Sequence, residues 1–274
     1  MKGISQEDKN PSNVVHYAGC QAAVVLHERF LSTEQIADGL GVEMERLAPD
    51  DCCGGVEDPP NFFSGIVAPL RIIDLAGEHQ LVTSCLSCLA NLRGAFNRME
   101  QNPETRRRAI FSMQVVGYEA PESTSARHLL DLLAEQNLAQ LIDTRKTTDL
   151  DDFPVALYYG CRKAELAAGT AAELELSLEQ AGAQIVPFPD AESCCGAPKG
   201  YGNGLPGGKG QEVLKKAAQT GAQAVVTVCG MCQANLEKQQ TDLLVIPFLQ
   251  LMAVSLGMAD PKVWLKKFDS VEGG

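Results

Sequence analysis

The sequence lacks an apolar run long enough to cross a membrane. A spanning helix needs about 20 mostly apolar residues, and the longest candidate, residues 243–258, is interrupted by Pro247 and Gln250. Residues 1–13 contain no apolar segment either, so they do not look like a secretory signal. We therefore expect a cytoplasmic protein without a transmembrane segment.

Positive charge is also scarce. The chain has 23 Lys and Arg against 35 Asp and Glu, a formal net charge of −12, and no run rich in Lys or Arg. Proteins that bind nucleic acids usually present a clustered basic surface. We therefore expect no nucleic-acid partner.

Cysteines outside a single pattern are absent, and that pattern occurs twice. Each copy has one cysteine, then Cys-Cys-Gly about 32 to 34 residues later, then Cys-x-x-Cys after a similar interval. The first copy consists of Cys20, Cys52, Cys53, Cys85 and Cys88, and the second of Cys161, Cys194, Cys195, Cys229 and Cys232. Both Cys-x-x-Cys motifs continue with x-Ala-Asn-Leu. The sequence therefore predicts two related halves joined head to tail.

This repeat sets the expected domain organisation. A length of 274 residues suits two domains of about 150 residues each. We predict a polar tail, a first cysteine-rich domain, a polar linker, a second cysteine-rich domain and a C-terminal tail, at residues 1–13, 14–142, 143–153, 154–260 and 261–274.

Apolar β-branched runs alternate with helical stretches, a pattern typical of α/β folds with parallel sheets. Strands are predicted at residues 14–17, 80–83, 155–159, 184–187 and 224–228. Helices are predicted at residues 21–40, 62–76, 86–99, 123–136 (with Ser125 as a cap), 162–181, 211–220 and 231–239. We expect two similar Rossmann-like halves related by a pseudo-twofold axis. Their cysteines should follow the carboxyl ends of strands, where such sheets bind ligands.

Five thiols per copy are more than a four-ligand zinc site requires. Adjacent cysteines project in different directions, so they contact two metal atoms more easily than one. In a reducing cytosol, patterned cysteines bind metal more often than they form structural disulfides. An iron–sulfur cluster is favoured, while a structural zinc site and a thioredoxin-type dithiol stay open as alternatives.

The doubled pattern resembles the B subunit of heterodisulfide reductase and its homologues. The resemblance runs from about residue 14 to 257 and is clearest around Cys161, in Ser-Cys-Cys-Gly196 and in Val-Cys-Gly-Met-Cys232-Gln-Ala-Asn-Leu. It implies that each set of five cysteines holds one noncubane 4Fe-4S cluster near the interface of the halves. It also implies cleavage of a disulfide between the two clusters.

The resemblance further implies partner proteins. All ten cysteines are assigned, so two partners like the C and A subunits of the reductase are expected. The C-like partner is an iron–sulfur electron-transfer subunit, and the A-like partner carries flavin and iron–sulfur clusters. The segment before Cys20 is shorter than in methanogenic members, which favours the sulfur-oxidising type. The alternatives are an iron–sulfur electron-transfer subunit of a lactate, glycolate, glycerol-3-phosphate or succinate oxidising complex, and a zinc-stabilised assembly module.

Two basic residues near the second copy are candidate substrate-binding groups. Arg162 follows Cys161 directly, and Lys199 lies in the glycine-dense stretch 196–210. A cation at either position would neutralise an anionic cluster or orient an acidic thiol. The stretch 196–210 is predicted to be a lid, a docking loop or a solvated surface loop, and it lacks the arrangement of a P-loop.

Overall fold

The computed structural model describes residues 13–19, 31–48, 51–55, 61–197, 208–239, 241–260 and 262. Within these ranges the chain forms two parallel four-stranded sheets, one in each half. Each sheet is accompanied by helices, so the predicted α/β fold of two similar halves is confirmed.

The first half contains strands β1 to β4, and its sheet has the order β2-β1-β3-β4. The strands are Val14–Tyr17, Glu45–Arg46, Gln80–Thr83 and Arg127–His128. Its α-helices α1 to α6 are Thr33–Gly39, Ala68–Ala76, Leu86–Gln101, Pro103–Val115, Leu129–Glu135 and Leu138–Arg145. A π-helical turn at Phe63–Val67 leads directly into α2.

The second half repeats this plan with strands β5 to β8 in the order β6-β5-β7-β8. The strands are Phe153–Tyr158, Ala183–Ile185, Ala224–Thr227 and Leu244–Pro247. A 3-10 turn at Lys163–Glu165 precedes its α-helices α7 to α10, which are Thr170–Gln180, Gly208–Gln219, Gly230–Leu236 and Phe248–Ser255.

The central strands form the core of each half. All four residues of β7 are buried, as are the last four of β5. Parallel strands covered on both faces read as continuous apolar runs, which is why the sequence predicted them. β2 and β4 were missed because each has only two residues and contains charged or polar side chains.

Three predicted helices differ from the structure. The helix predicted at 123–136 begins only at Leu129, after β4, and its N-cap is His128. Ser125 is not a cap, because its hydroxyl accepts the Leu81 N–H and donates to the His79 carbonyl. The helix predicted at 162–181 is interrupted between the 3-10 turn and α7. The described part of the helix predicted at 21–40 starts at Thr33, where Ser32 forms a capping box with Gln35.

We call the contact surface between the halves the seam. It is stabilised by helix packing and by hydrogen bonds from side chains of both halves. Helices α5 and α6 pack against α7 of the second half, while α10 packs against α1 of the first. Asp131 on α5 accepts hydrogen bonds from the Ala167 N–H (2.9 Å) and the Thr170 hydroxyl (2.8 Å). On α10, the Gln250 side chain donates to the Leu31 carbonyl at 2.7 Å. Each half therefore fixes the start of a helix in the other, as a pseudo-twofold arrangement requires.

Across the described part of the chain, no helix combines the length and hydropathy needed to cross a bilayer.

Candidate metal centre

Both Cys-x-x-Cys motifs begin helices that directly follow central strands. Cys85 is the N-cap of α3 and Cys229 the N-cap of α9, and both have extended backbone conformations. Each lies two residues after the strand that ends at Thr83 or Thr227. The motifs therefore lie at the carboxyl edges of the two sheets, as predicted from the sequence.

The Cys-Cys-Gly loops are fixed by the same contacts in both halves. The Tyr17 hydroxyl donates to the Asp51 carbonyl at 2.5 Å, and the Tyr158 hydroxyl donates to the Ser193 carbonyl at 2.6 Å. Each acceptor belongs to the residue just before the cysteine pair. A tyrosine at the end of the first strand thus holds each loop against its sheet.

Two asparagines support these loops from the following helix. Asn91 on α3 donates to the Cys53 carbonyl at 3.4 Å, and Asn235 on α9 donates to the Cys195 carbonyl at 2.7 Å. Neither asparagine was predicted to be a site residue. The repeated Ala-Asn-Leu after each Cys-x-x-Cys was the signal that could have found them.

Glycine is required where the backbone passes the thiols. Gly19 (φ +73) and Gly160 (φ +71) have left-handed conformations that side chains rarely adopt. A Cβ atom at Gly19 would lie 3.1 Å from Cys88 Sγ, and one at Gly160 would lie 2.9 Å from Cys232 Sγ. The first strand of each half therefore ends in a cradle that only glycine fits.

The described cysteines of the first copy lie close together. Cys53 Sγ lies 3.4 Å from Cys88 Sγ, and both side chains are buried, as is Cys85. Cys52 is half-buried, and its sulfur accepts the Gly54 N–H at 3.3 Å. Cys20, the fifth predicted ligand, lies outside the described residues.

All five cysteines of the second copy line one cleft of about 350 Å³. They are Cys161, Cys194, Cys195, Cys229 and Cys232. The first half closes the other side of the cleft with Ser87, Asn91 and Arg98. The site therefore includes the seam, and Arg98 is a cation that the sequence analysis did not single out.

The two copies meet at the seam. Cys85 Sγ lies 3.8 Å from Cys229 Sγ, although the two residues are 144 positions apart. Both are buried. The first cysteine of each Cys-x-x-Cys motif therefore faces its counterpart in the other half.

The donor set fits a polynuclear group better than a single ion. No group of three or more His, Cys, Asp or Glu side chains within the described residues is gathered closely enough to hold one metal ion. Five thiols instead surround the cleft of the second copy. A tetrahedral zinc site needs four ligands about one point, whereas an iron–sulfur cluster spreads its thiolate ligands over several iron atoms.

Crowding makes these thiols hard to ionise together. Hydrogen bonds with Cys53 and Cys85, followed by burial, raise the pKa of Cys88 well above its ordinary value. Hydrogen bonds with Cys195 and Cys229, followed by burial, do the same for the pKa of Cys232. Neighbouring thiolates would repel one another in a buried site. A bound metal supplies the positive charge that lets all of them ionise.

The two predicted substrate-binding residues have different outcomes. Arg162 is exposed and lines the cleft of the second copy. Lys199 lies outside the described residues, as does most of the stretch 196–210. The neighbouring Lys163 pairs with Glu192 at 2.7 Å and covers the Tyr159 ring. Among the basic residues predicted, the structure therefore brings Arg162 to the site.

A polar chain of three residues lies beside the first copy. Glu34 Oε1 is 2.7 Å from His16 Nδ1, and His16 Nε2 is 3.3 Å from the Ser84 hydroxyl. Burial alone would raise the pKa of Glu34, but the hydrogen bond and charge interaction with His16, together with hydrogen bonds from its own backbone and from Ser32, outweigh burial and hold that pKa at about 2. Glu34 is therefore ionised at neutral pH and fixes the buried His16 ring.

Comparison with known proteins also divides the chain into two cysteine-rich halves. Residues 14–93 and residues 155–237 each match the family model of the cysteine-rich domain CCG. The chain is 27% identical over 240 residues to the 8-methylmenaquinol:fumarate reductase membrane anchor subunit of Wolinella succinogenes, with 82% of each chain covered. It is 24% identical over 214 residues to the B subunit of the ferredoxin:CoB-CoM heterodisulfide reductase of Methanosarcina mazei, with 69% of this chain and 70% of that one covered.

The fold resembles that of a hypothetical protein from Helicobacter pylori seen in a crystal structure. The TM-score is 0.66 at 10% sequence identity, and the match covers 93% of this chain. It covers 51% of the other chain, so this protein spans about half of that solved structure.

Proposed function

Because the chain belongs to the cysteine-rich CCG domain family and carries that domain twice, we propose that it is the catalytic iron–sulfur subunit of a heterodisulfide-reductase-like complex. The family expected from the cysteine pattern is confirmed by the two domain matches and by the relative named as the B subunit of heterodisulfide reductase. The cofactors proposed are two noncubane 4Fe-4S clusters, one for each set of five cysteines.

The observation that carries this proposal is the approach of the two copies at the seam. Cys85 Sγ and Cys229 Sγ lie 3.8 Å apart across it. A disulfide has two sulfur atoms, so a substrate held at the seam would present one sulfur to each copy. Two bound clusters would supply or accept one electron each, which avoids releasing a thiyl radical.

The residues of the chain have defined parts in this proposal. Cys161, Cys194, Cys195, Cys229 and Cys232 would hold the second cluster, and the described Cys52, Cys53, Cys85 and Cys88 would hold the first together with Cys20. Asn91 and Asn235 fix the loops, and the glycines let the backbone approach the thiols. Arg98 and Arg162 line the cleft of the second copy and would attract an anionic thiol or acidic substrate.

We further propose that the chain works in sulfur oxidation. Joining two thiols into a disulfide releases two electrons and two protons, and a partner iron–sulfur protein would take the electrons. The apolar lead into Cys20, Val-Val-His-Tyr-Ala-Gly, is followed by Gln-Ala-Ala; it is shorter than in methanogenic relatives and supports this direction. Turnover with a methanogenic heterodisulfide alone would contradict it.

The first experiment is metal and sulfide analysis with EPR on anaerobically purified protein. Two 4Fe-4S clusters correspond to about eight iron and eight acid-labile sulfide per chain. Cys195→Ser should lose about half of both, because one of two clusters loses a ligand. Ser193→Ala is the matched control, since the Ser193 hydroxyl is buried without a partner among the described residues. Zinc without sulfide would instead support an assembly module.

A second candidate function rests on the relative from Wolinella succinogenes, which is named as a subunit of a fumarate reductase. The chain would then pass electrons between partners in an organic-acid oxidoreductase without acting on sulfur. Copurification with an FAD-dependent partner, together with loss of organic-acid turnover in Cys85→Ser, would favour this function. Thiol-dependent reduction of the EPR-active clusters in the isolated chain would favour the first.

A further inference from the structure

A small cavity lies at the seam beside the facing cysteines, and we call it the seam cavity. Its volume is about 80 Å³. The first half lines it with Ser84, Cys85 and His128, among others, and the second half with Thr227, Cys229 and Pro247. The thiols of Cys85 and Cys229 therefore lie beside the same cavity.

The two walls of the seam cavity correspond by the internal symmetry but differ in chemistry. In the first sheet Thr83 pairs with His128, and in the second sheet Thr227 pairs with Pro247. His128 and Pro247 therefore occupy the same position of the repeat, each just before a helix. Only the first half presents a side-chain hydrogen-bonding group at this position.

The same asymmetry is found at neighbouring positions of the two sheets. Val82 pairs with His16 in the first sheet, and its counterpart Val226 pairs with Leu157 in the second. Ser84, which follows Thr83, corresponds to Val228, which follows Thr227. The first half is thus polar where the second half is apolar, so the difference is not confined to one substitution.

The proton on the His128 ring can be placed from its contacts. The side chain is 1% exposed, and Nδ1 accepts the Leu130 N–H at 3.3 Å. An Nδ1 that accepts a hydrogen bond has a free lone pair, so the ring is neutral in this arrangement. A neutral ring whose Nδ1 accepts must carry its proton on Nε2.

That Nε2–H has no acceptor of normal geometry among the described residues. The Ser84 carbonyl lies near the ring but does not reach hydrogen-bond geometry with Nε2. A buried donor without a partner destabilises the fold. Because Pro247 begins the equivalent helix without such a group, a donor is not required there by the fold.

We propose that His128 is a positioning residue whose Nε2–H donates a hydrogen bond to a sulfur atom held beside Cys229 in the seam cavity. The identity of that atom rests on the proposed function: it is a cluster-ligating sulfur or the thiolate of a bound substrate. Hydrogen bonds to cluster sulfurs tune reduction potential. The asymmetry of the walls makes the two clusters unequal, because the donor comes from one half only.

The test compares wild type with His128→Asn and His128→Phe. Asparagine retains an oxygen that can cap the helix but is too short to place a donor where Nε2 lies, and phenylalanine keeps the ring shape without a donor. His79→Asn is the control, since His79 is exposed. Iron and sulfide per chain are measured first. The midpoint potentials of the reconstituted clusters are then determined by redox titration followed by EPR.

We expect both His128 variants to keep their iron while one cluster shifts to a lower midpoint potential and the other does not. A shift without added thiol identifies a cluster-ligating sulfur as the acceptor. A shift that appears only with added 2-mercaptoethanol identifies a bound thiolate. Unchanged potentials under both conditions would overturn the proposal.

A second measurement does not depend on iron. The ¹⁵N spectrum of histidine-labelled wild-type protein should show His128 as the neutral tautomer protonated at Nε2. An Nδ1-protonated ring would overturn the proposal even if the clusters are present. Absence of iron would defeat the proposed function but leave this measurement valid, so the two failures are distinguishable.

Discussion

Cys85 Sγ and Cys229 Sγ, which belong to different halves of the chain, lie 3.8 Å apart at the seam. The residue after Cys229 is Gly230, and a Cβ atom there would meet the Cys85 side chain at ordinary contact distance, 3.6 Å from its Cβ. The duplication has therefore produced two cysteine sets that face one another. A substrate sulfur bound at the seam would be within reach of both.

The glycine cradle can be tested with one methyl group. Gly160→Ala should place a Cβ atom 2.9 Å from Cys232 Sγ, which forces the thiol to move. We expect iron per chain to fall by up to half, because the second copy loses its geometry while the first is unchanged. Iron and sulfide analysis of the purified variant measures this.

Gly169→Ala is the matched control for that variant. Gly169 also has a positive φ, +89, but a Cβ atom there would meet nothing within 4 Å. Both variants incur the backbone strain of a left-handed residue, about 1 to 2 kcal/mol. Equal iron contents in the two would show that contact with Cys232 is irrelevant to the site.

The tyrosine anchors of the Cys-Cys-Gly loops give a further prediction. Tyr158→Phe removes the hydroxyl that donates to the Ser193 carbonyl at 2.6 Å. We expect the free energy of unfolding to drop by about 1 kcal/mol, the usual net value of one such hydrogen bond. We also expect faster loss of iron to a chelator, since the loop that carries Cys194 and Cys195 is freed.

Ser177→Ala is a suitable comparison, because the Ser177 hydroxyl donates at 2.6 Å to the Glu173 carbonyl of its own helix α7. It should lower stability without changing the rate of iron loss. If chelation proceeds at the wild-type rate in Tyr158→Phe as well, the hydroxyl does not hold the loop.

Strands built on apolar, β-branched residues could mostly be predicted from the sequence, although β8 was missed, and strands set by their neighbours could not. Val14–Tyr17 and Gln80–Thr83 have the predicted bounds. Arg127–His128 is a strand only because it pairs with β3, and its sequence continues smoothly into the leucine-rich helix α5. The helix prediction therefore started too early.

The candidate site shows the same limit. Spacing and repetition identified the cysteines, since the local motif fixes their positions after strands and before helices. The distance between Cys85 and Cys229 depends on how the halves pack, which no local pattern encodes. His128 was likewise missed as a site residue, because its place beside Cys229 follows from tertiary structure.

The hydrogen bond between Glu34 and His16 predicts a pH dependence of stability. The pKa of Glu34 is lowered from 4.5 to about 2 in the folded chain, where its interactions with His16, Ser32 and its own backbone together outweigh the opposing effect of burial. A lowered carboxyl pKa stabilises the fold above the unfolded-state value and loses that effect as the pH falls. Glu34→Gln should therefore cost about 2 kcal/mol at pH 7, and the difference should shrink between pH 5 and about 2.

Chemical unfolding of both proteins at several pH values measures this difference. Glu43→Gln provides the control, since the Glu43 side chain is exposed to solvent. A Glu34→Gln effect that stays constant down to pH 3 would show that the carboxylate charge contributes nothing to the stability of the fold.

The hydrogen bonds that Asp131 and Gln250 form across the seam should contribute more to the free energy of unfolding than a surface contact does. Asp131→Ala leaves the Ala167 N–H and the Thr170 hydroxyl without their acceptor, so we expect a loss of about 2 to 3 kcal/mol in the free energy of unfolding. Asp143→Ala, on the exposed side of α6, should change it by less than about 0.5 kcal/mol. Urea unfolding of the metal-free chain compares the two directly.

Gln250→Ala tests the opposite hydrogen bond, which reaches the Leu31 carbonyl. If these hydrogen bonds contribute only to the stability of the fold, each variant should keep the wild-type iron content. If they set the distance between the halves, both variants should also lower the iron content, because Cys85 and Cys229 would no longer be held 3.8 Å apart. We expect the second outcome, since Asp131 and Gln250 each lie only a few residues after the seam-cavity positions His128 and Pro247. If the variants lose stability but keep all their iron, these hydrogen bonds do not set the geometry of the cysteine sites.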